Sequence, residues 1–381
     1  FECDNLELFF ESTIFYNHCY KDTTSYYHDT RKFIKSITSY NHDLEEIHGV
    51  KKNDNNLIPF PKIVDAIEKN EKFFSLSFMS TGLDLVIKEG LKKRLNEIDF
   101  EEEFKEEWCE SFEQTFFSSK KGASIGMKSR TVMENTQLYL GLSSMDEKIN
   151  PISFLNKVNR DIIDNKIFKL DDISLSSHQL IKMFRISKKE QSEASREIYL
   201  TNVFNKTALF FIQTVFKIIN KRTLREVVVE SSDKRYKLIS AISKKANPNK
   251  NETVFYLNGD MGGYSPKDLK DKFKKLMTLF KEKKIIDLKF INMIYYYLSL
   301  IDEHHVLIPE FLYLEDGKIN EFKLKELLSD DGYLLKNKRK NKNLYFKVLK
   351  YSWPQGLYHN ISSFVHELDA ALFKYLFKIH C

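Results

Sequence analysis

Asp260 is the residue in this chain best placed by its neighbours to do chemistry. Residues 253–257 (TVFYL) form a short β-branched and aromatic run of the kind that makes a buried strand. Asn258, Gly259, Asp260, Met261, Gly262 and Gly263 follow, a turn with three glycines around one carboxylate. Ser265, Pro266, Lys267 and Asp268 then supply an N-cap, a proline at the first helical position and an acid in the first turn. Leu269, Phe273, Leu276, Met277 and Phe280 share one face of the helix that this predicts. A carboxylate between a strand and a helix is held rigidly with its oxygens toward a cleft, as a catalytic metal ligand requires. Read alone, Asp260 is equally a turn aspartate beside a glycine.

A second group of residues lies at 351–366 (YSWPQGLYHNISSFVH). Pro354, Gln355 and Gly356 lead into Asn360 and the paired hydroxyls of Ser362 and Ser363. These stand at the start of a predicted helix with Phe364, Leu368, Leu372 and Leu376 on its apolar face. Gly356 opens backbone conformations closed to other residues, and paired hydroxyls can cap a helix or bond a ribose. A third group, at 185–198 (RISKKEQSEASREI), carries Lys188, Lys189 and Arg196. Cations there could neutralise a triphosphate and the charge that develops as pyrophosphate leaves. Without the other two groups, this run reads as a solvated helix face.

Together the three groups resemble the large (L) polymerase proteins of bunyaviruses. The pre-motif A of that family, Lys-x-Gln-x-Gly-Gly-x-Arg-Glu-Ile, is matched by Lys189, Gln191, Arg196, Glu197 and Ile198, with Glu193 and Ala194 in place of the glycine pair. Its motif A, Asp-x-x-Lys-Trp-Ser-Pro, is matched by Asp260, Ser265 and Pro266, with Gly263 and Tyr264 where Lys and Trp are usual. Motif B of the phlebovirus-like branch, Gln-Gly-x-x-His-x-x-Ser-Ser-x-x-His, is matched in full by Gln355, Gly356, His359, Ser362, Ser363 and His366.

The resemblance implies an RNA-directed RNA polymerase using Mg²⁺ or Mn²⁺ in two-metal nucleotidyl transfer. It gives Asp260 the metals, Lys189 and Arg196 the incoming triphosphate, Gln355 and Gly356 a flexing loop at the nucleotide, and Asn360, Ser362 or Ser363 the ribose. It implies a helix-rich α+β fold: fingers and part of a right-hand palm with a small antiparallel palm sheet. The expected division is a helical region over 1–180, fingers with pre-motif A over 181–250, and palm with motifs A and B over 251–381, interrupted by a fingers insertion. Implied partners are viral RNA template and product, nucleoside triphosphates and the viral nucleoprotein, in the host cytoplasm and the virion. Motif C, the second essential carboxylate source, would follow motif B.

Other features compete with this reading. Ser329-Asp330-Asp331 spells the motif C tripeptide but precedes motif B and follows a charged helical stretch, so it reads as a turn. His304 and His305, after Asp302 and Glu303, suggest a metal cluster, yet adjacent ligands do not easily share one ion, and surface polarity is the simpler reading. The run Lys336 to Lys342 contains Lys338, Arg339 and Lys340, ahead of Tyr345 and Phe346. It suits RNA phosphates with aromatic stacking nearby, and supports a second reading as a non-catalytic RNA-binding protein. A helical scaffold is the third. The loop KKGASIGMKSR at 120–130 has no Gly-Lys-Ser/Thr close and is not a Walker A loop.

The elements that must position these residues are mostly helical. Only 12 Gly and 7 Pro occur in 381 residues, which argues for few tight turns, and the length suggests two or three packed units. Phe100, Phe104, Trp108, Phe112 and Phe116 recur every four residues and form one buried helix face. The net charge of +6 permits a polyanion partner without demanding one. Cys3, Cys19, Cys109 and Cys381 form no CxxC pair, which suggests a reducing compartment and no zinc knuckle. No apolar stretch reaches the roughly 18–20 residues of a membrane span, and the first residues lack the layout of a signal peptide. The absence of an initiator Met suggests a piece of a longer protein.

Overall fold

The computed structural model describes residues 76–116, 151–164, 166, 183–189, 196–224, 270–328, 331–337, 342–349, 353 and 357–380. Helices α1 (Leu76–Lys88), α2 (Leu91–Asn96), α3 (Phe100–Phe116) and α4 (Pro151–Ile163) come first. Strands β1 (Met183–Lys189) and β2 (Arg196–Thr201) precede the long helix α5 (Val203–Asn220), then α6 (Asp271–Lys283) and α7 (Leu288–Leu300). After β3 (His304–Leu307), a short β4–β5 ladder (Leu314–Glu315, Lys318–Ile319) and α8 (Glu321–Leu328) lead to β6 (Gly332–Asn337), β7 (Lys342–Leu349) and α9 (His359–His380). The result is a helix-rich α+β body.

Helix α5 is its axis. Asn202 caps it by accepting from the Asn205 amide at 2.9 Å, and it is buried around nearly its whole circumference, as a central helix must be. The aromatic stripe of α3 packs on it as its spacing predicts: Trp108 meets Phe210 at 4.7 Å and Phe104 meets Phe211 at 5.0 Å between ring centroids. Phe104, Trp108, Phe112 and Phe116 are all buried. On the far side Phe364 of α9 packs against Phe216 of α5 and, edge on, against Phe280 of α6. Helix α9 also lies tightly against α1. A Cβ at Gly82 would stand 2.8 Å from the Leu368 carbonyl oxygen, so only glycine permits this approach.

The main sheet has five strands in the order β2-β1-β3-β7-β6. It differs from the expected antiparallel sheet in one pairing, because β1 and β3 run parallel. A parallel pair needs a long crossover, and here the chain between them includes α5, α6 and α7. The expected strand at 253–257 lies outside the described residues, as do the proposed cap at Ser265 and the loop at 120–130. Cys109 is free and exposed, and no described helix is long and apolar enough to cross a membrane.

Candidate functional site

The run 185–198 is strand rather than helix face over its described part. Lys189 closes β1, Arg196 opens β2, and the two are directly opposite in the antiparallel register, joined by residues 190–195. Long-range pairing of β1 with β3 overrides the helical preference of the local sequence. The basic run near 340 has the same arrangement. Asn337 of β6 is opposite Lys342 of β7, so Lys338, Arg339 and Lys340 belong to the short connection between paired strands. Those three residues themselves lie outside the described residues.

Asp260, Gln355 and Gly356 also lie outside the described residues, but α6, which follows Asp260 in the chain, meets the residues that flank Gln355 and Gly356. Phe273, in the first turns of α6, packs its ring 5.8 Å from Trp353 and 5.2 Å from Tyr358. Trp353 and Tyr358 bracket the Pro354-Gln355-Gly356 segment and meet each other at 5.6 Å. All three rings are buried. The helix that follows Asp260 is thus clamped to both ends of the segment carrying Gln355 and Gly356.

A buried amine stands beside this clamp. Lys270, the residue before α6, is buried, and its Nζ has no hydrogen-bond partner among the described residues. Burial pulls its pKa down to about 7, against the opposing pull of the Asp271, Asp302 and Glu303 carboxylates. Burial, with Asp302 and Asp271, raises the Tyr358 phenol. Nothing in the sequence marks Lys270 as buried, since lysine at a helix start is ordinarily solvated.

At the start of α9 the backbone is tied to α5 by amides. Gln213 Nε2 donates to the Leu357 carbonyl at 3.1 Å, Asn360 Nδ2 donates to the Gln213 carbonyl at 2.8 Å, and Asn220 Nδ2 donates to the Asn360 carbonyl at 2.9 Å. Gln213 and Asn220 are two turns apart on one helix, hence on one face. That spacing was the signal in the sequence for an interface the motif comparison missed. Ser362 and Ser363 are buried.

His304 corrects the surface reading of the histidine pair. It is fully buried in β3, its ring 6.0 Å from Tyr358. Strand alternation sends His305 to the other face, where Nδ1 lies 2.8 Å from the Tyr333 hydroxyl and Nε2 lies 3.2 Å from Glu303. Asp331 sits directly ahead of β6, its carboxylate 3.9 Å from the buried Lys347 amine, which donates to the Leu328 carbonyl at 2.9 Å. Gly332 opens β6, and Ser329 and Asp330 lie outside the described residues.

Among the described residues no three His, Cys, Asp or Glu side chains come together as a metal site. The divalent-ion assignment therefore rests on Asp260 and its sequence context. No protein-family model and no curated protein matches this chain.

Proposed function

We propose that the chain is the fingers and part of the palm of an RNA-directed RNA polymerase of the bunyavirus L protein type, catalysing nucleotidyl transfer onto an RNA 3′ hydroxyl. The observation that carries this reading is the clamp of Phe273 on Trp353 and Tyr358. It ties the segment after the motif A carboxylate to the segment holding the complete motif B, as one catalytic cleft would need.

In this reading Lys189 and Arg196, opposite each other in the ladder, hold the triphosphate of the incoming nucleotide. Gly356 lets the motif B segment flex, with Gln355 beside the nucleotide. Ser362 or Ser363, both buried near the start of α9, reads the ribose hydroxyl. Asn360, tied to Gln213, contributes by holding that helix start in place. Mg²⁺ or Mn²⁺ bound at Asp260 would supply the charge neutralisation that phosphoryl transfer needs. Viral RNA, nucleoside triphosphates and the viral nucleoprotein are the partners that follow, with the host cytoplasm and the virion as the location.

The test is Asp260→Asn in the polymerase that carries this chain, assayed with Mg²⁺ or Mn²⁺. Incorporation should collapse while RNA retention persists. Retained incorporation removes the polymerase reading and leaves the second one, non-catalytic RNA binding, which the basic β6–β7 connection favours and which has no need of Asp260.

A further inference from the structure

Strand β3 alternates buried and half-buried from His304 to Leu307, so His305 leaves the sheet on its more open face. His305 is opposite Val348 and Tyr333 is opposite Phe346, and those two partners are two residues apart on β7. Both side chains therefore share one face, on either side of β7. Strands β3 and β6 are about 10 Å apart. The Tyr333 ring spans that gap by lying flat on the buried Phe346, with 5.3 Å between centroids and 12° between planes. Its hydroxyl reaches His305 Nδ1 at 2.8 Å, and His305 Nε2 meets the Glu303 carboxylate at 3.2 Å.

The carboxylate sets the order of the protons. A carboxylate only accepts, so the bond to Glu303 places the imidazole proton on Nε2. Nδ1 then carries the lone pair and accepts from the Tyr333 hydroxyl. Nucleophile and base are within hydrogen-bond reach and a third group orients the base, which is the arrangement of an activated nucleophile. Burial, with the Glu303 charge, holds the Tyr333 phenol above the usual tyrosine range. The hydroxyl therefore keeps its proton until a base removes it, and His305 is the base in contact with it. The group is within reach of solvent: the Glu303 side chain is 38 % exposed, that of His305 12 %, and Tyr333 is half-buried.

We propose that Tyr333 is a nucleophile that takes the nucleotidyl group of a nucleoside triphosphate, with His305 as its general base and Glu303 as the positioning residue for His305. The inference rests on the polymerase reading only for the choice of nucleotide. The Tyr333 oxygen attacks the α-phosphorus, and the new oxygen–phosphorus bond forms as the bond from that phosphorus to the β-phosphate bridging oxygen breaks. Pyrophosphate leaves with the bonding pair. The phenol proton passes to Nδ1, and Glu303 stabilises the imidazolium until it returns a proton to water. Pyrophosphate is a better leaving group than a phenol whose pKa is raised, so the tyrosyl ester persists and leaves the 3′ hydroxyl of the nucleotide free. Alkyl esters and amides lack that bias, because the alkoxide or amine they would release leaves less readily than the phenol.

The experiment incubates the 381-residue chain with each common α-³²P-labelled nucleoside triphosphate and Mg²⁺, and reads label that survives denaturing electrophoresis. Label should map by peptide mass to Tyr333, resist hydroxylamine, and be absent when the γ-phosphate carries the isotope. Tyr333→Phe, which keeps the ring on Phe346, should lose it entirely. His305→Gln should slow labelling by roughly 10²–10⁴-fold, the usual contribution of a general base, and its rate should climb with pH as hydroxide replaces the lost base. Glu303→Gln should slow labelling by at least about tenfold, and Glu303→Asp should recover part of that loss. Thermal melts of the variants should match the parent, so that lost labelling is not lost folding. An unlabelled parent, label that stays in Tyr333→Phe, a rate unchanged in His305→Gln, or acylation of Tyr333 by p-nitrophenyl acetate in place of nucleotide labelling each overturns the proposal. Labelling is read on the chain alone and incorporation in the polymerase that carries it. A labelled chain whose incorporation survives Asp260→Asn keeps the tyrosine nucleophile and removes the polymerase reading; an unlabelled chain whose incorporation Asp260→Asn abolishes does the reverse.

Discussion

Asn220 and Asn360 are joined by a hydrogen bond from the side-chain amide of the first to the carbonyl of the second, at 2.9 Å, across 140 residues of sequence. Asn360 in turn donates to Gln213, so the first turn of α9 is held to α5 by side chains that otherwise look like surface amides. A buried or half-buried hydrogen bond of this kind contributes about 1 kcal/mol, and up to about 3 when its loss strands a buried partner. Asn220→Ala and Asn360→Ala should each lower the urea midpoint by an amount in that range with the slope unchanged. A midpoint equal to the parent's in both variants would release Asn360 from the positioning role.

Asp331→Asn tests the Ser-Asp-Asp tripeptide. The Asp331 carboxylate lies 3.9 Å from the Lys347 amine, and that amine already donates to the Leu328 carbonyl. On the polymerase reading the variant should incorporate nucleotides at near the parent rate, and it should lose about 1–3 kcal/mol of stability because the Lys347 amine beside it is buried. Abolished synthesis, with Asp260→Asn tolerated, would mean that the order of the motifs along the chain is different.

Lys270 gives the fold a pH dependence whose sign follows from burial. Its pKa falls from 10.5 to about 7 on folding, so between those values the unfolded chain binds the extra proton and stability rises with pH. Below about 7 the amine is charged in both states and the full burial penalty applies. Lys270→Met removes that penalty at about 1.4 kcal/mol per pKa unit, giving a gain of a few kcal/mol at pH 6. The gain should shrink steadily as pH approaches 10. Urea unfolding at several pH values measures it, and a pH-independent difference between variant and parent would show that the amine reaches water.

Glu107 of α3 is buried between Lys217 and Lys221 of α5, which are each about a third exposed. Removing its charge leaves both lysines without their carboxylate, but solvent screens much of the loss. Glu107→Gln should therefore cost about 1–2 kcal/mol, between the values for exposed and for fully buried pairs. A thermal melt reads the change, and in molar salt most of the difference should survive because the carboxylate is shielded. A melt unchanged from the parent would show that this ion pair adds nothing to the packing of α3 on α5, which Trp108, Phe104 and the Lys206 bond to the Thr115 carbonyl would then hold.

What the sequence determined was local. The four-residue recurrence of Phe104, Trp108, Phe112 and Phe116, and the stripes of Phe273, Leu276, Met277 and Phe280 and of Phe364, Leu368 and Leu372, each predicted a helix face, and each is buried. Helical periodicity is set by neighbours within two turns, so it is written in contiguous residues. Asp260 and the 355–366 pattern stand as spacing in the sequence alone, since Asp260, Gln355 and Gly356 lie outside the described residues. Tertiary structure decided which residues meet. Lys189 faces Arg196 because β1 is pinned on its other side by β3, from more than a hundred residues away. His304 is buried because Tyr358 packs over it, and Lys270 because the segments around Phe273, Asp302 and Tyr358 close on one point. Strand pairing and the burial of a polar side chain depend on partners distant in sequence, and no local pattern encodes those partners.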